Sequence, residues 1–185
     1  MQYRTIPWTI LVVAVAGVAA WVCVAAPVLP DKAVITEEIY SLGRIDKVKV
    51  KVTSRSPFLD AEGLKTEDIE RDIENMLLEG GLDIVKAGDE VPTVTLVILT
   101  NKDVRFEGIV SVTHHLSVEQ PVLIRRLEHD VVVPTYALVH GLFVSEHRPL
   151  FDARKPIPKI INHFLNRLAV ANTYVDRQEI REMDD

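Results

Sequence analysis

One stretch, PTVTLVILT at residues 92–100, is the most informative about the fold. Val94 and Leu96 to Leu99 are apolar at successive positions, so this strand is expected to bury both of its faces in its second half. A strand that is covered on both faces lies in the interior of a sheet. The stretch therefore predicts a sheet with further strands on either side of residues 92–100.

The neighbouring segments supply those strands. In IDKVKVKVTS, residues 45–54, valines at 48, 50 and 52 alternate with lysines at 47, 49 and 51, which predicts a strand with one buried face and one solvated face. LDIV, residues 82–85, is a short strand. Residues 105–127 are predicted to be extended with Pro121 as a bulge or edge break, residues 128–130 to turn, and residues 131–144 to return as a strand.

Two segments have helical spacing of their apolar residues. The first starts at Thr66, a good N-cap, and ends at Gly80–Gly81; SRSPFLDAEGLK before it, residues 54–65, is predicted to be a loop. The second starts near Pro156 and ends near residues 172–174. Each has a single apolar stripe, so both are expected on one face of the sheet. The predicted fold class is α+β, with a mixed or antiparallel sheet of four to five strands and two helices packed on one face.

The N-terminal stretch, residues 6–29, has 24 residues and no charge. As a helix it would rise about 36 Å, enough to cross a hydrocarbon core of about 30 Å. Pro27 hinders cleavage after the small residues 24–26, and Trp21 and Val22 make a poor lipoprotein signal before Cys23. We predict a retained single transmembrane helix; the alternative is a cleaved or lipid-anchored leader.

The flanking charges predict the orientation and the domain organisation. Arg4 precedes the segment and Asp31, Glu37 and Glu38 follow it, which places the N-terminus in the cytoplasm and the larger domain on the periplasmic side of a bacterial inner membrane. The predicted organisation is an anchor (1–30), a connector (31–44), an α+β domain (45–175) and a charged tail that is frayed or extends the last helix (176–185).

Small residues cluster inside the predicted anchor, at Ala16, Gly17 and Ala20. Small side chains let two helix backbones approach closely in lipid, so these positions are candidates for packing on another membrane helix. The alternative is an anchor that faces lipid alone. Because the segment contains no histidine or acid, we expect no cofactor and no proton relay in it.

Charge and cysteine content exclude several kinds of partner. The net charge is −6 and no long basic run occurs, which argues against nucleic acid as a partner and against a direct role on anionic lipid. The one cysteine lies in the apolar stretch, so the domain has neither a disulfide nor a thiolate metal site.

The sequence contains no standard catalytic or nucleotide-binding motif, which lowers the odds of an enzyme. If the turn is centred on residue 129, His114 and His140 share a face but lie four positions apart, about 13 Å. That separation predicts that they do not share a zinc ion, and polar surface histidines are the simpler interpretation.

Two basic groups remain. Arg125 and Arg126 are adjacent, and a second group near the last helix is a possible partner-docking surface, with surface salt bridges as the plainer alternative. That second group consists of Arg148, Arg154, Lys155 and Lys159.

The leading functional hypothesis is a non-catalytic accessory subunit of a bacterial membrane complex, respiratory, photosynthetic or transport-related. Its expected partners are integral membrane subunits and the lipid bilayer. The first alternative is a cleaved or lipid-anchored envelope protein that assists assembly or lipid transport. The second is a periplasmic hydrolase or metal-binding enzyme, which would need converging histidines or acids in a pocket.

Overall fold

The computed structural model describes residues 35–88, 90–102 and 107–184, with side chains up to residue 180, all within a compact unit that spans Ile35–Asp185. The described strands are β1 (Lys47–Arg55), β2 (Asp83–Ile84), β3 (Thr93–Asn101), β4 (Ile109–Ile124) and β5 (His129–Ser145). The described helices are α1 (Glu37–Tyr40), α2 (Pro57–Ala61), α3 (Thr66–Glu79), α4 (Pro149–Arg154) and α5 (Ile157–Asp184).

The described strands form one five-stranded mixed sheet in the order β2-β1-β3-β4-β5. β1 is parallel to both of its neighbours, whereas β3, β4 and β5 are antiparallel in sequence. β3 is the central strand, as its unbroken apolar half predicts. The predicted α+β class and the mixed sheet are therefore confirmed.

The hydrophobic core lies between one face of the sheet and the helices. Each strand contributes alternate residues to it, for example Val94, Leu96 and Ile98 from β3. Helix α3 covers the β1 side with Ile69, Ile73 and Leu77. Helix α5 contributes six buried residues: Ile157, Ile160, Ile161, Phe164, Leu168 and Ala171.

Two glycines let α3 end against α5. Gly81 has φ +90°, the left-handed conformation that glycine adopts without a steric penalty, so the predicted helix stop is confirmed. Gly80 has an ordinary helical φ but lies under Leu165 of α5, where a Cβ would come 2.6 Å from Leu165 Cδ2. The first glycine permits the turn and the second permits the close approach of the two helices.

Two short helices were not predicted. Helix α2 lies within the segment predicted to be a loop: Ser56 caps it by accepting a hydrogen bond from the Leu59 N–H at 3.1 Å, and Pro57 fits its first turn. Helix α4 also begins with a proline, Pro149. The predicted N-cap of α3 is wrong by one residue, because Thr66 is already helical and Lys65 takes the cap position without a side-chain hydrogen bond.

The β4–β5 hairpin differs from the prediction in its turn and its bulge. The strands are joined at residues 125–128, with Glu128 at φ 49°, and not at residues 128–130. The register shift lies at Val118/Glu119, and β4 continues through Pro121. Pro121 pairs with Val132 of β5 and lies beyond the end of β3, which accompanies β4 only as far as Glu119, so β4 has a single neighbouring strand where the proline is tolerated.

The charged C-terminal segment extends helix α5, which was one of its two predicted states. Contacts with the start of the domain hold this part of the helix: Arg44 forms an ion pair with Glu179, and the Arg44 N–H donates to Asn172 Oδ1 at 2.7 Å. Tyr40 meets Tyr174 edge to face with ring centroids 6.1 Å apart.

The predicted transmembrane segment and its small residues, Ala16, Gly17 and Ala20, lie outside the described residues. Within the described ranges, no helix combines the length and apolar character needed to cross a bilayer. The structure therefore adds no support for the anchor, which stays a prediction.

Candidate binding surface

The face of the sheet opposite the helices, here called the outer face, is built mostly from uncharged residues on its three antiparallel strands; Glu119, the partner of Thr93, is a charged exception. Direct partners across the strands point to the same face, so Val97, His115 and Val139 form one row and Leu99, Thr113 and Gly141 form the next. Lysine and arginine side chains on this face belong to β1, at the side of the sheet remote from β5. No described helix packs on the outer face.

The outer patch, defined as Ile109, Val139 and Phe143, is the most exposed apolar part of this face. The exposed fractions of the three side chains are 43%, 61% and 77%. Gly141 lies between Val139 and Phe143 and has open space where a side chain would stand. Ser111 and Ser145, the cross-strand partners of Phe143 and Ile109, border it on the same face. An apolar centre with a polar border is typical of a protein-binding surface.

The hairpin arm, defined as residues 120–133, is a second exposed apolar region. Past Glu119 the two strands of the arm pair only with each other within the described sheet. Four large apolar side chains of the arm are exposed: Val122, Leu123, Leu127 and Val132. Its tip carries Arg125 and Arg126 together with Glu128 and Asp130.

The structure corrects the predicted separation of two histidines. His114 and His140 are direct cross-strand partners with ring centroids 6.3 Å apart, and not four positions apart. The earlier turn moves the expected partner of His114 by five positions, from Val144 to Val139, and the register shift at Val118/Glu119 moves it back by one, to His140. His114 is completely buried, so its predicted surface position is also wrong.

The buried His114 ring is held by the helix above it. Its Nε2–H donates to the Ala153 carbonyl of α4 at 2.8 Å, while Nδ1 has no hydrogen-bond partner among the described residues. Burial lowers the pKa of His114 below its ordinary value; the Ala153 hydrogen bond partly offsets this and the neighbouring His140 adds to it. The ring is therefore a neutral member of the core.

The histidine pair supplies two ring nitrogens, whereas protein zinc sites use three or four protein ligands. In the part of the chain that the structure describes, no three histidine, cysteine or acidic side chains come together in a metal-binding arrangement. His114 contributes to the packing of α4 on the sheet through its hydrogen bond to Ala153.

The predicted basic docking residues are dispersed over α4 and the start of α5. The Arg148 guanidinium lies over the Phe151 ring, 4.7 Å from its centroid, and Arg154 pairs with Asp72 of α3 at 2.7 Å. Lys155 and Lys159 are exposed. Two of the four cations thus have contacts within the domain, and their role in docking stays a prediction.

A pocket of about 260 Å³ lies between α1 and the end of α5, and sequence reasoning did not identify it. Tyr40, Gly43, Arg44, Val175 and Glu179 are among its lining residues. Its Arg44 and Glu179 pair with each other, so the charges that line the pocket are already partnered.

The outer patch was also missed from the sequence, although a signal was present. Residues 136–144 of β5 are apolar on both parities, with Tyr136, Leu138 and Val144 on the core face and Val139 and Phe143 on the other. In the central strand β3 such a pattern means burial on both sides. In the edge strand β5 it leaves one apolar side exposed.

The sequence matches no protein-family profile and no curated protein. Among solved structures, a minor lipoprotein from Acinetobacter baumannii is similar with 10% identity and a TM-score of 0.43, over 69% of this chain and 93% of that chain. A putative neuraminyllactose-binding hemagglutinin homolog from Helicobacter pylori has 8% identity and a TM-score of 0.42, over 76% and 92%. The rare lipoprotein B from Shewanella oneidensis has 10% identity and a TM-score of 0.27, over 74% and 97%.

Two of these neighbours are lipoproteins, the class to which the lipid-anchored alternative belongs. The identities and TM-scores are too low to carry a function to this chain.

Proposed function

We propose that this chain is a non-catalytic docking protein of the bacterial envelope. Its N-terminal segment holds it at a membrane, and its α+β domain binds another envelope protein through the outer patch. The leading partner class is an integral membrane subunit, as the sequence predicts.

The observation that supports docking most strongly is the exposure of Phe143 and Val139 at 77% and 61% on one face of the sheet. An isolated exposed apolar residue is ordinary on a protein surface. Here Ile109 lies on the same face, Gly141 separates the two large β5 side chains, and Ser111 and Ser145 border the group. A partner that covers this patch would bury its apolar area, which is the main favourable term in association.

The lipid-anchored form is the second candidate for the N-terminus. It differs from the leading form in the loss of residues 1–22 and leaves the docking role of the domain unchanged. N-terminal sequencing of the mature protein separates the two forms: a first residue at Met1 supports the retained helix, and a start at Cys23 supports the lipid anchor.

The test of the proposed function is purification in mild detergent followed by native mass spectrometry. We expect a discrete complex for the unaltered chain and loss of the partner in the double variant Val139→Asp, Phe143→Asp. Val170→Asp is the matched control, because Val170 is 45% exposed on helix α5, away from the outer patch. Recovery only as a soluble monomer that lacks residues 1–26, or equal loss of partner in the control, would overturn the proposal.

A further inference from the structure

We propose that the hairpin arm, residues 120–133, is a membrane-contact site that lies in the interface of the bilayer holding the N-terminal segment. This inference rests on the membrane tether of the proposed function. It assigns the arm a ligand, the lipid bilayer, that is separate from the protein partner of the outer patch.

The apolar residues of the arm lie on both of its sides. Leu123 and Val132 lie on one side, and Val122 on the other, because cross-strand partners share a face and neighbours along a strand alternate. Leu127 at the tip is 58% exposed. A hairpin that is apolar on both sides suits immersion at the level of lipid head groups, where apolar side chains enter the acyl boundary and the backbone still meets water.

The edges of the arm are unsuited to pairing with a strand from another protein. Pro121 lies in β4 and Pro134 in β5 at the base of the arm, and neither has an N–H to donate. Prolines of this kind protect a free edge from strand addition. A lipid surface needs no such hydrogen bonds from the edge, so the prolines favour lipid over an added strand.

The charges at the tip specify how the arm would bind. Arg125 and Arg126 are balanced by Glu128 and Asp130, so the tip has no net attraction to anionic lipid. The two arginines directly precede Leu127 in the chain. Their aliphatic side-chain segments are long enough for the guanidinium groups to reach phosphate oxygens while Leu127 enters the interface. The contact would therefore depend on apolar burial and persist in high salt, in keeping with the acidic composition of the chain.

The N-terminal tether is long enough to allow this contact. Helix α1 lies at the base of the arm: Gln120 Nε2–H donates to the Ser41 carbonyl at 3.0 Å, and the Ser41 hydroxyl donates to the Thr135 carbonyl at 3.2 Å. Residues 30–36 separate the apolar stretch from α1, and at about 3.3–3.6 Å per residue they span up to about 25 Å. The arm extends about 15–20 Å beyond Glu119, a comparable distance.

The experiment uses the full chain with Cys23→Ser as background. Leu127→Cys is labelled with an environment-sensitive fluorophore and reconstituted into phosphatidylethanolamine–phosphatidylglycerol vesicles that carry nitroxide-labelled acyl chains. Leu78→Cys is the matched control, since Leu78 is 51% exposed on helix α3. We expect a blue-shifted emission and several-fold stronger quenching at residue 127 than at residue 78, unchanged in 0.5 M salt, a concentration that screens exposed charges beyond about 4 Å.

The outcomes separate this inference from the proposed function. Equal quenching at the two positions in a chain that floats with the vesicles would refute the membrane contact and leave the tether intact. A blue shift at residue 127 without nitroxide quenching would mean that protein covers the arm, which also refutes it. Since Cys23→Ser prevents attachment of a lipid at that position, the tether under test is the retained helix, and a chain that fails to float with vesicles would remove that tether and the inference together.

Discussion

At the scale of single residues, His114 shows what an amino-acid pattern leaves open. Its neighbour His115 has the same side chain but points to the opposite face of the sheet. Which of the two rings enters the core depends on which alternate residues of β4 face the helices. Val110, Val112, Leu116 and Val118 are buried in the same alternation as His114, a signal of burial that the surface prediction for this histidine overlooked. The position of its partner His140 depended on the turn and the bulge, and local sequence does not specify either strongly.

The burial of His114 predicts a pH dependence of stability. In the unfolded chain its pKa is about 6.5, and in the folded chain it is lower. The stability that depends on a neutral His114 ring is therefore complete above pH 6.5. It is lost as pH falls below 6.5, because the unfolded state then binds more protons than the folded state. The free energy of unfolding should fall by up to about 1.4 kcal/mol per pH unit from this group.

The substitution His114→Gln removes that ring and keeps an amide N–H that can reach the Ala153 carbonyl. We expect the variant to lose less stability than the unaltered chain between pH 6.5 and 5.5, measured by urea unfolding in mild detergent. His115→Gln, on the outer face of the same strand, is the control and should keep the original pH dependence. An unaltered slope in His114→Gln would contradict the assignment.

At the scale of elements, the two long helices and the strands of the sheet follow from apolar periodicity. The short helices α2 and α4 do not, because five or six residues give too few turns for a pattern to emerge. Their caps and prolines were the available signals: Ser56 before Pro57, and Pro149 after Arg148. The bulge at Val118/Glu119 left no sequence signature, and Pro121 drew the prediction to the wrong position.

The close approach of α3 and α5 at Gly80 can be tested by a double-mutant cycle. Gly80→Ala should destabilise the domain by about 1 kcal/mol, since the strain of overpacking against Leu165 exceeds the gain in helix propensity. In a Leu165→Ala background the same change should become neutral or stabilising, because the obstructing methyl groups are gone. Equal effects in both backgrounds, measured by urea unfolding, would show that Leu165 does not set the constraint.

At the scale of the whole molecule, the sequence was sufficient to predict the α+β class. The apolar spacing of its strands and of its helices is consistent with one sheet that is covered by helices on one face. The binding surface was harder to predict. Whether an apolar residue on a strand is covered depends on which strand is at the edge and which face the helices choose, and both are properties of the assembled sheet. Val139 and Phe143 are exposed because β5 is an edge strand and the helices pack on the opposite face of the sheet, which the structure shows and the sequence does not.

The central claim is that the outer patch meets a protein partner at the membrane. The most direct measurement places a photo-crosslinking phenylalanine analogue at Phe143 in cells and compares it with the analogue at Phe151, which is 60% exposed on helix α4. We predict one discrete adduct from residue 143 that Val139→Asp abolishes, and none of that mass from residue 151. No adduct at residue 143, or the same adducts at both positions, would contradict the claim.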